Sequence, residues 1–182
     1  PFDTDPLTVH VCRLCDDKLI EEPGEVRHLI NDAALARHEE WLIARIAEEV
    51  RSGDELVARA RDLLEGLILC DDASAQLSAM RGTEPPFRYA VRHLLALAAR
   101  ARSWTSGAFV ASYRYPCSDE SEATKSRFGG QRVFRCPDGE RRMFSWHSKI
   151  NVDKWRVHFL AVRPGEPVLI GYVGRHLDTV TG

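Results

Sequence analysis

What this chain lacks narrows its class first. No run approaches the roughly 20 consecutive apolar residues of a membrane span, and the opening PFDTDPLTV has no apolar segment of the signal-peptide kind. The expectation is therefore a cytoplasmic protein without a membrane partner. No Walker loop, GxGxxG, GxSxG or HExxH motif occurs, and no internal repeat, so the nucleotide-cradling, serine-hydrolase and zinc-protease signatures are missing. Cysteine is sparse. Cys12, Cys15, Cys70, Cys117 and Cys136 are odd in number and unevenly spaced, unlike a secreted disulfide framework. Reduced thiols are expected, although Cys117 and Cys136 could approach each other across neighbouring strands.

What is present fits a soluble globular protein: 182 residues, 44% apolar and 29% charged, enough for one domain or two small ones with a core. The net charge of -2 conceals an asymmetry. Residues 1–99 hold 11 basic against 19 acidic side chains, a balance of -8, whereas residues 100–182 hold 14 against 8, a balance of +6. A basic half points to an anionic partner such as nucleic acid, and the acidic half could mask it. The same split would also serve a protein partner, or a homo-oligomer in which the acidic half of one copy meets the basic half of another.

Hydrophobic periodicity predicts an α+β protein in two parts. Residues 1–102 read as an acidic helical region of three to four helices, and residues 103–182 as a basic antiparallel β-meander of four to five strands. Leu35, Leu42, Ile46 and Val50 form one helical stripe from about Ala33, capped by Asn31 or Asp32 and stopped at Ser52-Gly53. Asp54 caps a second helix with Leu56, Leu63, Leu64, Leu67 and Ile68 on its apolar face, and a weaker helix covers Ala73 to Met80. Pro85-Pro86 opens the strongest helix, Phe87 to about Arg102, with Val91, Leu94, Leu95 and Ala98 inward. Within it Arg88 and His93 have the Arg-x4-His spacing, similar to the motif of HEPN ribonucleases.

Beyond that helix, Ala108 to Tyr115 read as a first strand, Pro116 to Gly130 as a mobile loop or lid, and Pro-Asp-Gly-Glu (137–140) as a hairpin turn. Residues 141–177 alternate apolar and polar through three runs. Phe144, Trp146 and Ile150 are expected on one face, with His147 and Lys149 opposite. A hairpin loop at Arg163 to Pro167 would pair Val162 with Val168, Leu160 with Ile170 and His158 with Tyr172. That register gathers Arg156, His158, Tyr172, His147 and Lys149 on one face, a constellation able to bind or cut a phosphodiester.

At the other end, His10-Val-Cys12-Arg-Leu-Cys15 is followed by His28 and His38. Paired thiolates two residues apart suit one edge of a tetrahedral zinc, and the twelve-residue interval to His28 resembles a Cys2His2-like zinc finger. The resemblance covers about 27 residues and implies a structural Zn²⁺ knuckle at residues 10–38, held by Cys12, Cys15, His28 and His38. His10, Cys70, Cys117 and Cys136 compete for the fourth position. His38 follows His28 by ten residues, where a finger has three to five.

The closing segments WRVHF (155–159) and VLIGYVGRHL (168–177) resemble the terminal strands of RelE/ParE-type toxins, a likeness of about 40 residues. It implies a toxin-like, metal-independent ribonuclease, with His158 or Tyr172 as base or acid, His147 or His176 in the opposite role, and Lys149, Arg156 and Arg175 on the phosphate. The residues read on their own favour a bacterial-type cytosolic protein that binds nucleic acid, RNA before DNA, through the basic face of the sheet. A protein–protein or self-assembly module without nucleic acid is the third class.

Overall fold

The computed structural model describes residues 6–27, 32–111, 115–150 and 154–181. It has mixed α and β content, and the chain divides into two units, Pro1–Leu42 and Ile43–Gly182. Among the described residues no helix is long and apolar enough to cross a membrane.

The first unit contains a β-hairpin where a knuckle and a lead-in are expected. Strands β1 (Leu7–Cys15) and β2 (Lys18–Val26) pair antiparallel from Leu7↔Val26 to Cys15↔Lys18. Asp16 and Asp17 connect them with φ of 48° and 58°, the doubly left-handed two-residue turn that matches strand twist and that Asp tolerates. Val11, Leu14, Leu19 and Ile20 on this ribbon are exposed. Helix α1 (Asp32–Glu49) follows, close to its expected span.

In the second unit the expected long second helix breaks up. Ser52 caps α2 (Gly53–Ala58) by accepting the Glu55 N–H, and α3 (Ala60–Leu63) is a single turn. Gly66, at φ +90°, then turns the chain into strand β3 (Leu67–Leu69). The apolar run Leu67 to Cys70 is ambiguous between a buried helix and a buried strand. Here Gly66 turns the chain out of the helix, and parallel pairing with the last strand of the chain makes the run a strand. Helix α4 (Asp71–Ser78) and helix α5 (Pro85–Ser103) fall close to their expected positions.

Between α5 and the sheet, residues 108–111 form no strand, contrary to expectation, and residues 112–114 lie outside the described set. The segment expected to be a loop or lid is instead ordered as strand β4 (Cys117–Asp119), helix α6 (Glu122–Phe128) and a 3-10 turn (Gly129–Arg132). Ser121 caps α6 by accepting the Thr124 N–H at 3.2 Å. The hairpin at Pro137 to Glu140 joins β5 (Val133–Arg135) to β6 (Arg141–Met143), as expected.

Strands β7 (Trp146–Lys149), β8 (Trp155–Leu160) and β9 (Val168–Arg175) complete a five-stranded sheet in the order β3-β9-β8-β7-β4. A strand from the helical portion therefore forms one edge, so the expected division at residue 102 falls inside this unit. His158 pairs with Tyr172 as expected, but the next pair is Phe159↔Ile170, which leaves Gly171 as an extra residue. Leu160 consequently faces Leu169 rather than Ile170.

One sheet face, with Val157, Phe159, Val168, Ile170 and Val173, belongs to the main core together with Phe87, Val91, Leu94 and Leu97 of α5. Phe144, expected beside Trp146, instead joins Phe134, Cys70 and Cys136 in a second cluster. There Cys136 meets Cys70 rather than Cys117, and burial with the adjacent thiol pushes Cys70 up to about 12. All five cysteines are free.

His93 lies inside the main core at 1% exposure, its Nε2 against the Ser148 hydroxyl and its ring edge-on to Tyr115. Arg88 is exposed, and an i,i+5 separation puts the two on different sides of the helix. Burial lowers His93 from 6.5 to about 3. Between those values the unfolded chain takes up a proton that the folded one refuses, so stability falls as pH drops from about 6.5 toward 3. His93→Gln, which can keep a donor toward Ser148, is expected to flatten this fall in urea titrations at stepped pH. An unchanged slope from pH 6.5 to 4 would refute the assignment.

Candidate functional site

On the sheet face opposite α5, alternation along the strands lines up ring-bearing side chains. His147 pairs with His158 across β7 and β8, and His158 with Tyr172 across β8 and β9. Ring centroids are 5.3 Å apart for His147 and His158, 6.3 Å for His147 and His176, and 5.6 Å for His158 and Tyr172. Four residues expected from the sequence to act together are thus brought into one cluster.

Two further members were not legible in the alternation: Glu120, just ahead of α6, and Arg132, at the end of the 3-10 turn. Arg132 has no exposed surface; its Nε and one terminal nitrogen each lie 2.8 Å from Glu120 Oε1. It also donates to the Asp178 carbonyl at 2.9 Å and the Phe128 carbonyl at 3.3 Å. A buried guanidinium is tolerated when a carboxylate and carbonyls satisfy it in this way. The available signal was the capped helix itself, Ser121 ahead of EATKSRF with Gly129-Gly130 after it.

Glu120 presents its carboxylate to the imidazoles. His147 Nδ1 is 3.5 Å from Glu120 Oε1, long for a hydrogen bond, and among the described residues this buried nitrogen has no well-formed hydrogen bond. Its Nε2 is 3.3 Å from the Ser118 hydroxyl. His158 Nδ1 lies 3.0 Å from the Phe144 carbonyl, which can only accept, so Nδ1 carries the proton and the Nε2 lone pair is left for another use. One donor atom from each of Glu120, His147 and His158 lies within 4.8 Å of the others, the grouping suited to a cation among the described residues.

Burial sets the protonation of these rings. It takes His158 down to about 3, overriding the bond to the Phe144 carbonyl. It also lowers His147 against the pull of Glu120, and lowers His176 with help from the Arg156 charge. Near pH 7 the three imidazoles are neutral and present lone pairs, either to a proton or to a cation. Arg156 is lowered by burial too, donates to the Trp155 carbonyl at 2.9 Å and has no partner for Nε.

Within the cluster the Tyr172 hydroxyl is already engaged, and the expected residues outside the cluster are more dispersed. Tyr172 stacks on Phe134 and donates its hydroxyl to the Arg175 carbonyl at 2.8 Å. Lys149 is exposed and lies across from Arg156. Arg175 sits opposite Trp155, one residue out of phase with Tyr172 and so on the other face. Cys12 and Cys15 share strand β1 three residues apart, an odd separation that directs them to opposite faces, and Cys12 Sγ approaches Glu21 Oε1 at 3.8 Å. His38 lies in α1 with its ring edge-on to Trp41, and His28 lies outside the described residues.

No protein-family model, curated protein or solved structure matches this chain.

The ceiling over this cluster depends on the extra residue of β9. A Cβ on Gly171 would stand 2.7 Å from ring atoms of both Phe134 and Phe144, closer than packed side chains permit. Gly171→Ala should cost about 1–3 kcal/mol, as overpacking does, and displace the Phe144 carbonyl from His158. Chemical denaturation measures the first effect and imidazole nitrogen shifts the second; wild-type stability with unchanged shifts would contradict this packing.

Proposed function

We propose that the Ile43–Gly182 unit binds nucleic acid, RNA in preference to DNA, at the end of the sheet where β7 stops, β8 starts and β9 finishes. One observation carries the reading. Lys149, Lys154, Arg156, Arg175 and His176 gather at that single end, linked by the pairs Lys149↔Arg156 and Trp155↔Arg175 and by the His176 N–H donating to the Lys154 carbonyl at 2.9 Å. Lys149, Lys154, Arg156 and Arg175 supply the positive charge there, His176 being neutral near pH 7, and a phosphate backbone is the polyanion whose spacing rewards several cations in a row.

Cleavage is the second reading, favoured by the convergence of His147, His158 and His176. It asks most of His176, the half-buried member, because His158 is enclosed at 1% exposure and the Tyr172 hydroxyl is already engaged. Fluorescence anisotropy with single-stranded RNA and DNA oligonucleotides at two salt concentrations tests the binding. Affinity should fall steeply with salt, and Lys149→Ala with Lys154→Ala should reduce the log–log slope by about 1.4, from about 0.7 per phosphate contact. Affinity absent at low salt, or insensitive to salt, would eliminate the proposal. Shortened RNA on a gel, lost in His176→Ala, would move it to the ribonuclease class.

A further inference from the structure

The geometry points to a mononuclear metal site, for Zn²⁺ or a similar divalent transition ion, formed by Glu120, His147 and His158 on the sheet face opposite α5. Ligands about 2.0–2.2 Å from a tetrahedral zinc lie about 3.3–3.6 Å from one another. The 3.5 Å between His147 Nδ1 and Glu120 Oε1 is close to this separation, and all three donors lie within 4.8 Å. It is a poor distance for a hydrogen bond and a good one for two ligands of a common ion.

The state of each donor agrees. His147 Nδ1 is buried without a well-formed hydrogen bond among the described residues, a cost that a bound cation removes. His158 donates its other nitrogen to the Phe144 carbonyl at 3.0 Å, and His147 has the Ser118 hydroxyl 3.3 Å from its other nitrogen. Ligating histidines characteristically have such outer partners, which fix the tautomer and aim the lone pair. Glu120 is held in turn by Arg132, whose Nε and one terminal nitrogen each lie 2.8 Å from Oε1 and anchor that oxygen.

Two imidazoles and one carboxylate form a donor set that zinc uses where a fourth position is left for water or another ligand. Calcium and magnesium, which prefer oxygen, are disfavoured by the two nitrogens. Arg132 and Arg156 bring positive charge toward a dication, so the fourth ligand that balances the site best is an anion, hydroxide or a phosphate oxygen.

Zinc binding here and RNA binding at the end of the sheet are separate readouts, so either can fail alone. The test titrates Zn²⁺ into the full chain carrying Cys12→Ser and Cys15→Ser, which removes the N-terminal thiols as competitors. About one equivalent should bind, and His147→Ala should weaken it by more than the roughly 10–100-fold that loss of an outer-shell partner causes. A chain that retains no zinc, or a His147→Ala variant that retains it equally, overturns the site. Should that variant fail to fold, imidazole nitrogen spectra of the unsubstituted chain decide. Zinc is expected to shift His158 Nε2 and a His147 nitrogen while His158 Nδ1 keeps its proton, and unmoved signals in excess zinc overturn the proposal.

Discussion

A guanidinium sealed from water dictates the arrangement around it. Arg132 is among the largest fully buried side chains, and a charge in that position requires a full set of acceptors. It takes them from three places in the chain: the Glu120 carboxylate, the Phe128 carbonyl and the Asp178 carbonyl. Satisfying one cation therefore fixes the start of α6, its end and the residues after β9 relative to one another. Thr124, which accepts from the Val180 N–H at 3.4 Å, and Gln131, which bonds Asp178 through both ends of its amide, fasten the same neighbourhood. These bonds add to the Glu120 N–H, which donates to the Ser145 carbonyl at 3.1 Å, in holding Glu120 over the imidazoles.

The two faces of the sheet follow different rules. One buries aliphatic and aromatic side chains against helices and draws its stability from area removed from water. The other is divided: Phe134, Phe144, Leu160 and Leu169 form a small apolar cluster, and beside it His147, His158, Arg132 and Glu120 are buried, Arg132 and His158 with specific hydrogen bonds. The bulge at Gly171 separates these halves. It keeps His158 opposite Tyr172 while shifting the following pairs by one residue, so Leu160 meets Leu169 on the side of the second cluster.

How much of this could be read from the chain depended on the range of each signal. The long helices were legible because their apolar stripes repeat over several turns, and the His158–Tyr172 pairing because alternation holds on both sides of it. The segment from Pro116 to Gly130 was not, since it is polar and short in period, and its helix is stabilised by a serine cap and by contacts with distant residues. That concealed Glu120 and Arg132, which complete the cluster. Leu67 to Leu69 misled for the opposite reason. A short apolar run fits a helix or a strand, and the partner that decides between them is far along the chain. The pair Cys12 and Cys15 illustrates a limit of spacing arguments: on a strand, three residues apart means opposite faces.

That distant partner has a temporal meaning. Strand β9 sits between β3 and β8, and it joins Leu67 to Val168 across about 100 residues. An interior strand of the sheet is therefore the last of its strands to be synthesised, and closing so long a loop is slow. Until β9 arrives, β3 and β8 both expose unpaired edges that could pair with a neighbouring nascent chain. Assembly of this unit should accordingly be more sensitive to crowding on a polysome than its content of helix would suggest.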